Sequence, residues 1–233
     1  MFFKDEVRAN EFDEWVGEIQ TLKALDLGVG ESILDIGCGI GQFTPLFLWK
    51  FKRVVGLDPS EEYLKVARET GGRVEYVQGL GEAFEGKFDT INMTNLLEHV
   101  NNPVLLLENC KRNLNPGGRI IAQVPNANSI TRRLGVLMEI IDSIENISST
   151  ERDKYGHQRV YTLDSLVRDA EAASLKVVEK GGILYKPFPN EMLLKICKEK
   201  GKEWTKKFLK ALVEFGKDRP EDCAQLYISC VLP

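Results

Sequence analysis

Short, almost wholly apolar runs alternate with helical patterns through the first half of this chain, and few architectures accept that rhythm. The runs are Ser32–Ile36, 53–57, Val74–Gln78, 88–93 and 119–124, with helical patterns at 42–50, Glu61–Glu69 and 104–113 between them. Strands separated by helices imply a parallel sheet with helices on both faces. Apolar strands without alternation (ILDI, VVGL, IIAQV) fit a sheet covered on both sides. The punctuation agrees. Asp58-Pro59-Ser60 ends one strand and can cap the helix that follows, and Asn115-Pro116-Gly117-Gly118 stops another helix and turns the chain.

The pattern changes after residue 124. Apolar residues recur at three and four through 129–147, predicting a helix. A polar stretch follows, then Thr162 as N-cap of a helix reaching Ala173. Segments 175–180 and 224–232 read as two final strands, with a helical segment at 190–217 between them. Before the sheet, 10–27 reads as an amphipathic helix able to lie across a ligand cleft. The expected assembly is one α/β domain over residues 1–233, a doubly wound sheet with helical lid insertions at about 129–160 and 190–217. Packed together over the carboxyl ends of the strands, the two insertions would build an acceptor pocket.

Charge and cysteine content narrow the function classes. The net charge of −4 disfavours a nucleic-acid partner, which wants a basic face. The lysine-rich run 195–210 reads equally as a solvated helix face or a partner site. Five cysteines without C-x-x-C spacing read as reduced thiols of a cytoplasmic protein. The opening MFFKDEVRANEFDEW is too polar for a signal peptide, and no apolar run approaches the roughly 20 residues of a membrane span.

The most informative segment is ILDIGCGIGQFT, a buried strand entering Gly37-x-Gly39-x-Gly41 and then a helix. Glycines there let backbone turn tightly and a ligand approach without a Cβ in the way. Asp58 ends the next strand, about 20 residues on, where a carboxylate can accept ribose hydroxyls. Two features depart from dinucleotide enzymes. Gln42 follows Gly41, and Asp35 stands two residues before the first glycine, where an acid suits a cationic ligand and repels a pyrophosphate.

With VVGLDPS, VQGLGEAF, FDTINMTNLLEHV and NPGGRIIAQVPN, this segment resembles class I S-adenosylmethionine-dependent methyltransferases of the Rossmann-like class, over residues 33–126. The resemblance implies a seven-stranded sheet with its last strand antiparallel, and S-adenosylmethionine as cofactor. It also implies that Gly37, Gly39 and Gly41 form the cofactor loop and that Asp35 orients the loop or the cofactor's amino group. Asp58 would hold the ribose, and Pro59 or Leu57 would pack on adenine. Leu80 stands where an acid usually meets the adenine edge, so only its backbone would contact the ring, with Glu82 as a possible substitute. Asn95 completes the cofactor-side set.

Methyl transfer from a sulfonium is an in-line displacement in which the protein aligns and desolvates the acceptor. A hydroxyl acceptor benefits from a base. His99, in NLLEHV after the fourth strand, and His157, in YGHQRVYT, are the two histidines and both are candidates. Arg159 and Tyr161 are candidates for acceptor oxygens. The NLLEHV segment resembles one in ubiquinone-pathway O-methyltransferases where two acids and a histidine can hold a divalent metal. Asn95 replaces the first acid here, so no metal is expected. The G-H-x-R-x-Y-T segment resembles methyltransferases of sugars, polyketide-like metabolites and surface glycans, where it faces the acceptor. The leading expectation is methyl transfer to O or N of a small molecule such as a sugar, sugar nucleotide or lipid-linked intermediate. The alternatives are a non-catalytic cofactor-binding regulator and a nicotinamide-dependent oxidoreductase.

Overall fold

A computed structural model describes residues 11–69 and 72–233. Its frame is a seven-stranded sheet in the order β3-β2-β1-β4-β5-β7-β6. The strands are β1 (Ser32–Ile36), β2 (Arg53–Asp58), β3 (Val74–Gln78), β4 (Phe88–Thr94), β5 (Leu114–Pro125), β6 (Lys176–Tyr185) and β7 (Cys223–Val231). Strands β1 to β5 pair in parallel, and β7 runs antiparallel to both of its neighbours, β5 and β6. The helices are α1 (Glu11–Leu27), α2 (Glu61–Glu69), α3 (Pro103–Cys110), α4 (Ile130–Leu137), α5 (Leu163–Ala172), α6 (Asn190–Lys200) and α7 (Lys202–Gly216). Residue 10, the expected start of the first helix, lies outside the described residues, as does most of the polar N-terminal stretch.

The period-2 geometry of strands divides the core into two layers. Leu34, Ile36, Val55 and Leu57 pack with Leu106 and Leu107 of α3 and Leu166 and Ala170 of α5. Ile33 and Val54 face the other way, onto α1 (Trp15, Ile19), Phe47, α6 (Leu193) and α7 (Leu209). Thus 190–217, expected as a lid, forms two helices whose apolar faces share a buried cluster with the sheet and α1. Gly201, with φ +80°, breaks that stretch into α6 and α7.

Other local differences have local causes. The helix expected at 42–50 is a 3-10 segment, Thr44–Trp49, entered through Pro45 without a side-chain cap. The helix expected over 129–147 ends at Leu137, and Glu139 follows in the left-handed region at φ +59°. Helix α4 has no buried residue, and Leu137 and Ile140 are 80% and 68% exposed. An amphipathic pattern without a layer to bury its stripe does not sustain a helix. Strand β6 continues through Gly181-Gly182 to Tyr185, because those glycines make room for the Tyr227 ring and Pro220. Asn115-Pro116-Gly117-Gly118 lies within β5, where the register against β4 shifts. Thr162 caps α5 as expected, in a reciprocal capping box with Ser165.

Candidate active site

The carboxyl ends of β1, β2 and β4 open into two adjoining clefts that share Gly37. Ligands of open α/β sheets bind at this edge. One cleft, about 230 Å³, is lined by Asp35, Gly37, Gly39, Asn95 and Gly17 and Gln20 of α1. The other, about 300 Å³, is lined by Leu57, Pro59, Leu80, Glu82, His99 and Gln158. Asp35, Gly37, Gly39 and Asn95 therefore fall together on one side, and Pro59, Leu80 and Glu82 on the other.

The glycine loop is held from below. Gly37 and Cys38 donate their backbone N–H groups to the Leu57 carbonyl, at 2.7 and 3.2 Å. The Asp58 carboxylate accepts from the Gly39 N–H (2.9 Å) and the Ser60 N–H (2.9 Å). It sets the loop and the turn after β2, and further lone pairs remain for a ligand. Gly39 has φ +55°, and a Cβ there would meet no atom of the described residues within 4 Å. The space against the loop is open for a ligand. Gly41 is different: its Cβ would stand 2.5 Å from the Tyr76 hydroxyl and 2.8 Å from Ala67. It lies outside both cleft linings and acts by close packing.

Asp35 is a buried carboxyl that accepts from the Thr44 hydroxyl (2.7 Å) and the Asn92 amide (2.8 Å). Burial pushes it up to about 6, against the opposing pull of these two hydrogen bonds. A cationic group entering the cleft would restore the charge that burial penalises. Asn95 sits in the left-handed region at φ 52°, a conformation Asn tolerates better than most residues. Its amide exchanges two hydrogen bonds with Gln20 of α1, at 3.1 and 3.2 Å. Gln123 of β5 donates to the Gln20 carbonyl at 3.1 Å. This amide network ties α1 to the strand ends. Sequence spacing does not reveal Gln20, Thr44 or Asn92. The available signal is Gln20 and Thr21, two uncharged polar residues among the apolar positions of α1, and both are buried.

The two histidines meet. Their rings are edge to face with centroids 4.8 Å apart. Beside them Glu98 is 1% exposed, with no hydrogen-bond partner on either oxygen among the described residues, and burial pushes its carboxyl up to about 8. Burial lowers both imidazoles, and for His157 the neighbouring His99 adds to the effect. Both favour the neutral form, which can accept a proton. The ligating atoms of Glu98, His99 and His157 all lie within 4.8 Å of one another, so this trio is also a donor set for a cation. The sequence expectation of no metal considered Asn95, not the donor that His157 brings from 58 residues beyond His99 along the chain.

Segment 158–159 clamps the loop after β4. Gln158 donates its backbone N–H to the Glu98 carbonyl (2.8 Å) and its side chain to the His99 carbonyl (2.7 Å). Arg159 donates to the carbonyls of Leu97 (2.8 Å), Val100 and Asn101 (3.0 Å). Its guanidinium is thus used within the protein rather than offered to an acceptor. Tyr161 also differs from its expected place. It is 2% exposed, its hydroxyl donates to Asp169 at 3.0 Å, and burial with that acid raises its pKa. The cleft it shares with Glu98 and His157 has only about 10 Å³. The apolar surroundings that bury its ring keep Tyr161 from both ligand clefts, whereas His157, which lines neither cleft itself, is only partly buried and stands against the His99 ring that lines one of them.

Comparison with known proteins agrees with this geometry. A family profile described as a methyltransferase domain matches residues 7–180. A ubiquinone biosynthesis O-methyltransferase of Aeromonas salmonicida is 31% identical over 173 residues, covering 71% of each chain. One from Idiomarina loihiensis is 28% identical over 172 residues, covering 70% of this chain and 69% of its own. Among solved structures, an S-adenosylmethionine-dependent methyltransferase from Mesorhizobium loti superimposes with a TM-score of 0.62 at 18% identity, over 94% of this chain and 99% of its own. The magnesium protoporphyrin IX methyltransferase of Synechocystis, solved with bound S-adenosylhomocysteine, gives 0.62 at 14% identity, over 99% and 90%. The glycine loop, the acid at each strand end and the sheet with its reversed β7 are those of one family, and this chain belongs to it: it is a class I S-adenosylmethionine-dependent methyltransferase.

Proposed function

We propose that this methyltransferase acts on a hydroxyl oxygen of a small molecule, with His157 as the base. The observation that carries this reading is the His99–His157 pair, which burial keeps neutral beside the cofactor cleft that His99 lines. An amine acceptor that arrives unprotonated needs no such base, whereas a hydroxyl gains from one. The relatives named as ubiquinone biosynthesis O-methyltransferases support oxygen as the methylated atom. S-Adenosylmethionine supplies an activated methyl group. The protein's part is then alignment and proton removal. On this reading Asp35, Gly37, Gly39 and Asn95 hold the amino-acid end, Asp58 the ribose, and Pro59 and the Leu80 backbone the adenine. As the acceptor hydroxyl takes the methyl group that S-adenosylmethionine would supply, the His157 imidazole would take the proton the hydroxyl loses.

The test is single-turnover methylation across an aromatic hydroxyl, a sugar hydroxyl and a primary amine, beside cofactor titration. His157→Ala is expected to keep cofactor affinity and lose ~10²–10⁴-fold in turnover on the hydroxyl acceptor. Near-normal turnover in that variant, or transfer to the amine alone, would overturn the reading. Loss of wild-type turnover on chelation would assign the histidines to a metal instead.

A further inference from the structure

A second concavity lies away from the methyl-transfer clefts. Helices α1 and α7 both rest on β6. They enclose a groove of about 710 Å³, within the roughly 300–1,000 Å³ of small-molecule sites. Its apolar surface comes from Ile19, Leu22, Ile183, Val213, Pro220 and the Tyr227 ring, with Gly181 and Gly182 in the floor. Among the described residues five lysines line it, Lys23, Lys180, Lys206, Lys210 and Lys217, against one acid, Asp26. Five positive charges less one leaves a local excess of four in a chain whose net charge is −4.

The cations are not equivalent. Lys23 is held by Glu179 (3.3 Å) and Asp26 (3.6 Å) and lies over Tyr227, 4.3 Å from the ring centre. Lys206 pairs with Glu203 (3.0 Å) and Lys217 with Glu214 (2.7 Å). Lys180 and Lys210 have no ion-pair partner among the described residues. Along α7 and its C-cap residue Lys217, the lining positions 206, 210, 213 and 217 recur at four, three and four, so one helical stripe forms a wall of the groove. A solvated lysine face needs no apolar channel beside it. Here the channel and the unpaired cations coincide.

We propose that this groove binds a single-chain anionic amphiphile, its hydrocarbon chain on the Ile19–Ile183–Val213 floor and its phosphate or carboxylate head between Lys180 and Lys210. The apolar floor gives chain burial and the lysines give charge complementarity; neither a bare anion nor a neutral chain satisfies both. The site shares only α1 with the cofactor clefts. Gly17, Gln20 and Thr21 face those clefts, and Ile19, Leu22, Lys23 and Asp26 face the groove.

Calorimetric titration of the full chain with monomeric dodecyl phosphate tests this, with dodecyl maltoside and inorganic phosphate as the neutral-chain and bare-anion probes. Saturable one-to-one binding of dodecyl phosphate is expected, with both other probes much weaker. The exposed double variant K180E/K210E is expected to weaken that binding by about tenfold or more. Val213→Trp, which fills the channel, should do the same, and both variants should keep their affinity for S-adenosylhomocysteine. Unchanged binding in K180E/K210E, equal binding of dodecyl maltoside, or uptake without saturation would overturn the proposal. So would binding confined to anionic phospholipid vesicles, or a dimer that Val213→Trp dissolves and that excludes dodecyl phosphate.

Discussion

On the proposed placement of the cofactor, the surroundings of Asp35 would reach into its binding. The Asp35 carboxyl is pushed up to about 6 because it is buried, and Thr44 and Asn92 only partly offset that cost. A cationic amino group of the cofactor favours the carboxylate, so binding releases a proton wherever the free protein holds one. The sign follows: affinity is highest above about pH 6 and falls below it, by up to about tenfold per pH unit. Calorimetry from pH 5 to pH 8, values on either side of that midpoint, is expected to show the fall in the wild type and weaker, nearly flat affinity in Asp35→Asn. At this scale the chain was partly legible. Gly39 and Asp58 are readable because a backbone approach and a strand-end carboxylate are strict local demands. Gln20 and Gln123 are not, because the Gln123 side chain donates to the Gln20 main-chain carbonyl across 103 residues.

At the scale of elements, Gly41 belongs to the packing of the loop against α2 and β3. Its φ of +69° and the crowding by Tyr76 and Ala67 both oppose any side chain. Gly41→Ala is expected to lose roughly 2–4 kcal/mol of stability, from left-handed backbone cost and overpacking together. Urea unfolding monitored by circular dichroism measures it. A loss confined to cofactor affinity would make Gly41 a ligand contact instead. Where the chain's own pattern sufficed, as in β1, β2 and α2, the elements stand where the sequence puts them, because buried strands and capped helices are locally specified. Elements whose boundaries depend on partners moved. Helix α4 stops short of its apolar pattern with nothing to bury it, and β6 runs past two glycines because β7 pairs with it to Tyr185.

At the scale of the whole molecule, the proposed role of Asp58 at the ribose would link folding and cofactor binding. A ligand that binds only the folded chain stabilises it, by about 2.7 kcal/mol at one hundred times its Kd. Asp58→Ala removes hydrogen bonds to a charged group, worth about 1.5–3 kcal/mol each, and frees the Gly39 and Ser60 amides. Thermal melts with and without S-adenosylhomocysteine are expected to show a lower melting point without ligand and a much smaller ligand-induced rise than in the wild type. An undiminished rise would remove Asp58 from the ribose. The sequence alone determined the alternation of strands and helices, the glycine loop and the acids at two strand ends, since each is a local requirement of backbone geometry or solvation. Tertiary structure alone decided that His99 and His157 meet beside a buried Glu98, that Tyr161 and Arg159 turn inward, that 190–217 covers a sheet face, and that lysines of α1, β6 and α7 ring one groove. Those outcomes depend on which distant segments share a surface, and side-chain burial and charge are settled only when they do.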